Sequence, residues 1–164
     1  MASTPLPVVA LKSLPGIRQF DMTGHIAIVT GGSKGLGAAM AAGLASAGAT
    51  TVIVSRTLSE SQRIAAEISE GFSVPSIGLQ ADVANPSDVE QMVAAVMQQA
   101  GRIDILVNSA GINIRGSISD LTYEQFQEVQ KTNVDGTWLC CKAVIPHMKA
   151  AGYGRIVNVA STLG

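Results

Sequence analysis

Five short apolar runs, each separated from the next by enough chain for a helix, limit what this sequence can fold into more than any other feature. They occupy positions 25–30 (HIAIVT), 51–55 (TVIVS), 76–80 (SIGLQ), 104–108 (DILVN) and 155–160 (RIVNVA). Each is nearly continuously apolar, without strict in/out alternation, which is the pattern of parallel strands covered on both faces. Helix signals fill the intervals. The first helix follows Gly35, runs through Leu36, Met40 and Leu44, and stops at Gly48. Thr57 with Glu60 three residues later predicts a capping box for the second. Asn85 as cap, Pro86 at the first helical position and Gly101 at the end delimit the third. Thr122 with Gln125 opens the fourth and longest, which continues to about Ala150. Strand and helix alternate throughout, and right-handed crossovers turn that order into an open, doubly wound α/β sheet.

The bulk properties agree with such a fold and exclude several functions. The chain has 164 residues, 47% hydrophobic and 14% charged, enough for one domain with a real core. A net charge of −1 gives no footprint for nucleic acid or an anionic membrane. No apolar run approaches the ~20 residues of a membrane helix. Residues 1–20 read as an arm: the apolar patch at 6–11 lacks a preceding basic region, and Pro5, Pro7 and Pro15 interrupt the segment. The expected domain is therefore 21–164. Cys140 and Cys141 are adjacent and have no disulfide or metal-site spacing, and His25 and His147 lack metal-like companions. No metal is expected, and a reducing, cytoplasmic setting is the simplest fit.

The first run ends in Thr30-Gly31-Gly32-Ser33-Lys34-Gly35-Leu36-Gly37. Glycines let the backbone turn tightly and approach a pyrophosphate, while the following helix offers unpaired N–H groups and the positive end of its dipole. Ala38, Ala39, Ala41 and Ala42 allow that helix to lie close to the sheet. No Lys-Ser or Lys-Thr follows the last glycine, so a nucleoside-triphosphate loop fits poorly. In dinucleotide-binding folds an acid near the end of the second strand, ~20 residues past the glycines, holds the ribose hydroxyls of NAD. Here Ser55-Arg56-Thr57 stands at that place. Arg56 can pair with a 2′-phosphate, and Lys34 adds positive charge, so NADP(H) is preferred, with NAD(H) possible.

The spacing T-G-x-x-x-G-x-G resembles that of the short-chain dehydrogenase/reductase family, and further motifs follow in order. Asp82-Val83 is similar to the family's adenine-contacting pair. Asn108-Ser109-Ala110-Gly111 resembles its N-N-A-G motif, with serine for the second asparagine. Asn133 matches its active-site asparagine and Ser161 its catalytic serine. Singly, each has a plainer reading: Asp82 as a turn cap, Asn108 and Ser109 as backbone partners, Asn133 as an exposed helix residue, Ser161 as a turn residue.

The resemblance implies a Rossmann-like sheet in strand order 3-2-1-4-5, C-terminally incomplete. It implies cofactor contacts from Gly31, Ser33, Lys34, Gly35, Leu36, Gly37, Ser55, Arg56, Asp82, Val83, Asn108, Ala110 and Gly111. Ser161 would polarise the oxygen of a small alcohol or carbonyl substrate, and Asn133 would support a water. The 5-dehydrogenases of gluconate and the 3-oxoacyl-carrier-protein reductases are similar members. The family's Tyr-x-x-x-Lys pair follows the serine. Here Tyr123 and Tyr153 precede Ser161, and the residues four places on are Gln127 and Val157. The expectation is the N-terminal part of a longer, homo-oligomeric oxidoreductase. A non-catalytic dinucleotide-binding or interaction fragment is the alternative. In the incomplete sheet the fifth strand is expected to form an exposed edge. The face of the fourth helix that carries Trp138, Leu139 and Val144 is expected to lack partners.

Overall fold

All five apolar runs form strands in a computed structural model that describes residues 16–161. They are β1 (Ile26–Thr30), β2 (Thr50–Ser55), β3 (Ser76–Gln80), β4 (Ile105–Asn108) and β5 (Arg155–Asn158). Every pairing is parallel and the order is β3-β2-β1-β4-β5. Ile28, at the centre, is in register with Val52 on one side and Leu106 on the other.

The helices are α1 (Gly35–Ser46), α2 (Leu58–Phe72), α3 (Pro86–Ala100), α4 (Tyr123–Gln130) and α5 (Gly136–Ala150). Alternate side chains of β1 go to opposite faces, as the period of a strand requires. Ala27 and Val29 pack with Ala41 and Ala45 of α1 and with Ala65 and Ile68 of α2. Ile26 and Ile28 belong to the opposite layer, with Val89 and Val96 of α3 and Val144 and Met148 of α5. Helices on both faces explain why the central strands are continuously apolar.

The α3 signals act as expected. Asn85 Oδ1 accepts the Ser87 N–H at 3.0 Å, Pro86 begins the helix, and Gly101 ends it in a left-handed conformation. Thr122 and Gln125 form a reciprocal capping box. The box expected at Thr57 and Glu60 does not form. Thr57 N–H donates to Ser55 Oγ at 3.3 Å, and Glu60 turns to Ser33 instead. The single long fourth helix is also corrected: a π-helical turn, Lys131–Asp135, separates α4 from α5.

Within the expected arm, Gly16–Phe20 forms an exposed 3₁₀ turn, and Met22 N–H beyond it donates to the Ala47 carbonyl at 2.7 Å. Residues 1–15 lie outside the described residues. β5 pairs with β4 and, among the described residues, with no other strand. All four of its residues are exposed. The unpartnered face expected on the fourth helix is only partly present. Trp138 is exposed, but Val144 is fully buried and Leu139 packs at the margin of the core.

Candidate functional site

Because all strands run the same way, their carboxyl ends share one rim, and that rim carries the predicted site residues. Its organiser is Thr30, the last residue of β1. The buried Oγ1 accepts the N–H groups of Ser109 and Ala110, each at 3.2 Å, and donates to the Val107 carbonyl at 3.4 Å. One hydroxyl thus fixes the exit of β4 against the glycine turn. Gly31 adopts φ +65°, and a Cβ there would lie 2.8 Å from the Ala110 backbone. A Cβ on Gly37 would collide with the Gly31 carbonyl. Both glycines therefore permit backbone contact that no side chain allows.

Beside this turn lies a cleft of ≈ 700 Å³, part of it open to solvent. The turn contributes Gly31, Ser33 and Lys34. The exit of β2 contributes Val54, Ser55, Arg56 and Thr57, and α2 contributes Glu60. Ala81, Asp82 and Val83 follow β3, Ala110, Gly111 and Ile112 follow β4, and Thr132 comes from the π turn. Nine predicted residues therefore meet in one wall: Gly31, Ser33, Lys34, Ser55, Arg56, Asp82, Val83, Ala110 and Gly111. Gly35, Leu36, Gly37, Asn108, Asn133 and Ser161 are not in that wall. Val54, Thr57, Glu60, Ala81, Ile112 and Thr132 line it without having been singled out as cofactor contacts.

The charges of the cleft are arranged unevenly. Lys34 and Arg56 form no ion pair among the described residues; the two salt bridges present are Arg63–Glu67 and Arg102–Asp104. Glu60 Oε2 accepts the Ser33 hydroxyl at 3.1 Å. Asp82 carries out the plainer role as well as lining the cleft. Its Oδ1 accepts the Ala84 N–H at 2.9 Å and its carbonyl accepts the Asn85 N–H, which together shape the turn into α3.

Asn108 and Asn133 point to supporting work. Asn108 is buried, and its Nδ2 donates to Asn158 Oδ1 at 2.9 Å and to Cys141 Sγ at 3.3 Å, tying β4 to β5 and α5. Its Oδ1 is buried with no hydrogen-bond partner among the described residues. Asn133, on the π turn, grips the backbone of Ile112 twice: Oδ1 accepts its N–H at 2.9 Å and Nδ2 donates to its carbonyl at 3.0 Å. The Asn133 carbonyl in turn accepts the Thr137 hydroxyl at 2.8 Å. Ser161 is exposed, three positions past β5 at the same rim. Burial pushes the Cys140 thiol up to about 12, so it packs as a neutral group. Among the described residues no cluster of His, Cys, Asp and Glu could hold a metal, and no helix is long and apolar enough to cross a membrane.

The short chain dehydrogenase family profile matches residues 25–164. This chain belongs to that family. A D-threitol dehydrogenase from Mycolicibacterium smegmatis is 37% identical over 142 residues, covering 87% of this chain and 54% of the relative. A 3-oxoacyl-[acyl-carrier-protein] reductase from Synechocystis sp. is 35% identical over 144 residues, covering 87% of this chain and 58% of the relative. The crystal structure of a provisionally assigned short-chain alcohol dehydrogenase from Sinorhizobium meliloti 1021 superposes with TM-score 0.82 at 32% identity, covering 87% of this chain and 56% of that one. The chain thus spans a little over half the length of these short-chain dehydrogenase relatives.

Proposed function

We propose that residues 21–164 form the cofactor-binding part of an oxidoreductase that moves hydride between NADP(H) and the carbon of a small alcohol or carbonyl compound. The observation that carries this reading is the cleft beside the glycine turn, where Lys34 and Arg56 form no ion pair with a carboxylate among the described residues. A dinucleotide fits such a site. Main-chain N–H groups at the start of α1 would receive the pyrophosphate. Arg56 and Lys34 would receive a 2′-phosphate, and Asp82 and Val83 would face the adenine. Ala110 and Gly111 would line the path toward the nicotinamide.

When bound, the nicotinamide supplies or accepts the hydride. Ser161 would polarise the substrate oxygen by hydrogen bonding. Asn133 would keep the strand exit at Ile112 in place and support a water nearby. The 164 residues contain no Tyr-x-x-x-Lys, the pair that the family resemblance assigns to proton transfer. We therefore place turnover in a homo-oligomeric, cytoplasmic enzyme carrying that pair, with residues 1–164 alone binding cofactor without efficient catalysis. General acid–base catalysis is worth ~10²–10⁴ in rate.

Calorimetric titration of the chain with NADPH and NADH tests the reading. Arg56→Ala should weaken NADPH more than NADH, by about 1–3 kcal/mol for a lost charged hydrogen-bond partner. Equal losses for both cofactors would remove Arg56 from the role, and no binding of either would remove the cofactor reading altogether. A second reading, an interaction fragment, draws on the exposed β5 edge. It predicts capture of a strand or a second copy with no response to either dinucleotide.

A further inference from the structure

Ser55-Arg56-Thr57 at the end of β2 carries no acid, yet the fold turns Glu60 of the next helix into the cleft. Glu60 sits in the first turn of α2, where a carboxylate commonly serves the helix dipole or reaches back to a capping residue. It does not complete the expected box with Thr57, whose side chain makes no cap bond. Its Oε2 instead accepts the hydroxyl of Ser33, a buried residue 27 positions earlier in the glycine turn. Glu60 therefore lines the same cleft as Lys34 and Arg56, within 4 Å of neither cation's charged nitrogens.

We propose that Glu60 is a specificity-determining residue whose carboxylate, tethered to the glycine turn by Ser33, opposes the 2′-phosphate that Arg56 and Lys34 attract, keeping the site open to NAD(H) as well as NADP(H). This rests on the dinucleotide reading of the cleft. Two effects act in the same direction. A fixed negative charge in the cleft raises the cost of bringing in a dianionic phosphate. The single hydroxyl proton of Ser33 is already donated to Glu60, so it cannot be donated to a phosphate oxygen at the same time. The two cations and the carboxylate then partly offset each other, which tempers the preference that Arg56 alone would set.

The test compares NADPH and NADH titrations of the full chain with those of Glu60→Gln, which keeps the acceptor and the size but removes the charge. The ratio of the two dissociation constants should move toward NADPH on the order of threefold to fivefold, as for charges partly screened by solvent. The shift should shrink as salt is raised from about 20 mM to about 0.5 M, because the screening length falls severalfold over that range. A purely structural role for Glu60 would show no such salt dependence. Glu67→Gln, on the same helix but paired with Arg63 outside the cleft, removes the same charge and should leave the ratio unchanged. Glu60→Ala should move the ratio the same way and serves if the glutamine variant unfolds. An unchanged ratio, a move toward NADH, or an equal effect from Glu67→Gln would overturn the role of Glu60. If Arg56→Ala still weakens NADPH selectively in that case, the cofactor reading stands and only Glu60 falls. If the unmodified chain binds neither cofactor, both readings fall together.

Discussion

β1 and β5 are strands of one sheet with similar apolar runs, and their surroundings are opposite. All five residues of β1 are buried, flanked by β2 and β4 and covered by helices on both faces. All four residues of β5 are exposed, and its ladder bonds go to β4 alone among the described strands. An apolar run therefore states that a segment can be a buried strand. Its position in the strand order decides how much of it is buried here. The site follows the same division. The cleft beside β1 is held by backbone-to-backbone contact at Gly31 and Gly37 and by the three bonds of Thr30. Ser161 follows the exposed strand.

The largest difference should come from cutting side chains out of each strand. Ile28→Ala removes a fully buried side chain between Val52 and Leu106, and should cost about 2–5 kcal/mol including the cavity left behind. Val157→Ala, in register with Val107 but 49% exposed, should cost less than about 1 kcal/mol. Paired denaturant melts measure both. Costs agreeing within about 1 kcal/mol would mean that the edge strand is as well covered as the centre, and the comparison would fail.

The next effect separates a hydrogen-bond hub from a side-chain bridge. Thr30→Val keeps the shape but leaves the N–H groups of Ser109 and Ala110 without their acceptor, a loss of about 1–3 kcal/mol. Asn158→Ala, on β5, removes one acceptor from Asn108, which retains a contact to Cys141, and should cost about 1 kcal/mol or less. Thermal melts rank the two. Hydrogen exchange at Ser109 and Ala110 should rise in Thr30→Val alone. Equal exchange in both variants would mean that the hydroxyl does not hold the exit of β4.

Much of this was legible because it is local. The five apolar runs, the box at Thr122, the cap at Asn85 and the stop at Gly101 each depend on neighbours within a few residues. The glycine turn was legible from its spacing, and nine of the residues predicted from it and from the family motifs share the cleft wall. What escaped depends on distant partners. Thr57 and Glu60 carry the letters of a capping box, but Ser33 competes for the carboxylate from 27 residues away. The π turn is a single five-residue segment, too short for a pattern of apolar residues to reveal. Its Asn133 bonds to Ile112, 21 positions earlier, a pairing that only the folded rim creates. Asn108 was singled out from its motif, but the bonds of its Nδ2 to Asn158 and Cys141, 50 and 33 positions later, could not be read there.

The smallest expected effect on stability is also the sharpest probe of the edge. Ile156 and Val157 of β5 and Val159 just beyond it are 36%, 49% and 41% exposed, and among the described residues β5 pairs with β4 alone. Such an edge is a template for another chain, and a lysine side chain discourages pairing by charge and by its hydration. Val157→Lys should change folding stability by no more than about 0.5 kcal/mol, because the long side chain can leave for solvent from a half-covered position. Its effect on association should be much clearer. Light scattering over a concentration series should show self-association of the unmodified chain and a marked reduction in the variant, with the same melting temperature for dilute samples of both. A lysine at position 28 could not be neutral in the same way, because there the charge would be buried in the core without a partner. Association that persists unchanged in Val157→Lys would place the sticky surface elsewhere. A loss of more than about 1.5 kcal/mol in the dilute sample would show that β5 is buried against something in solution.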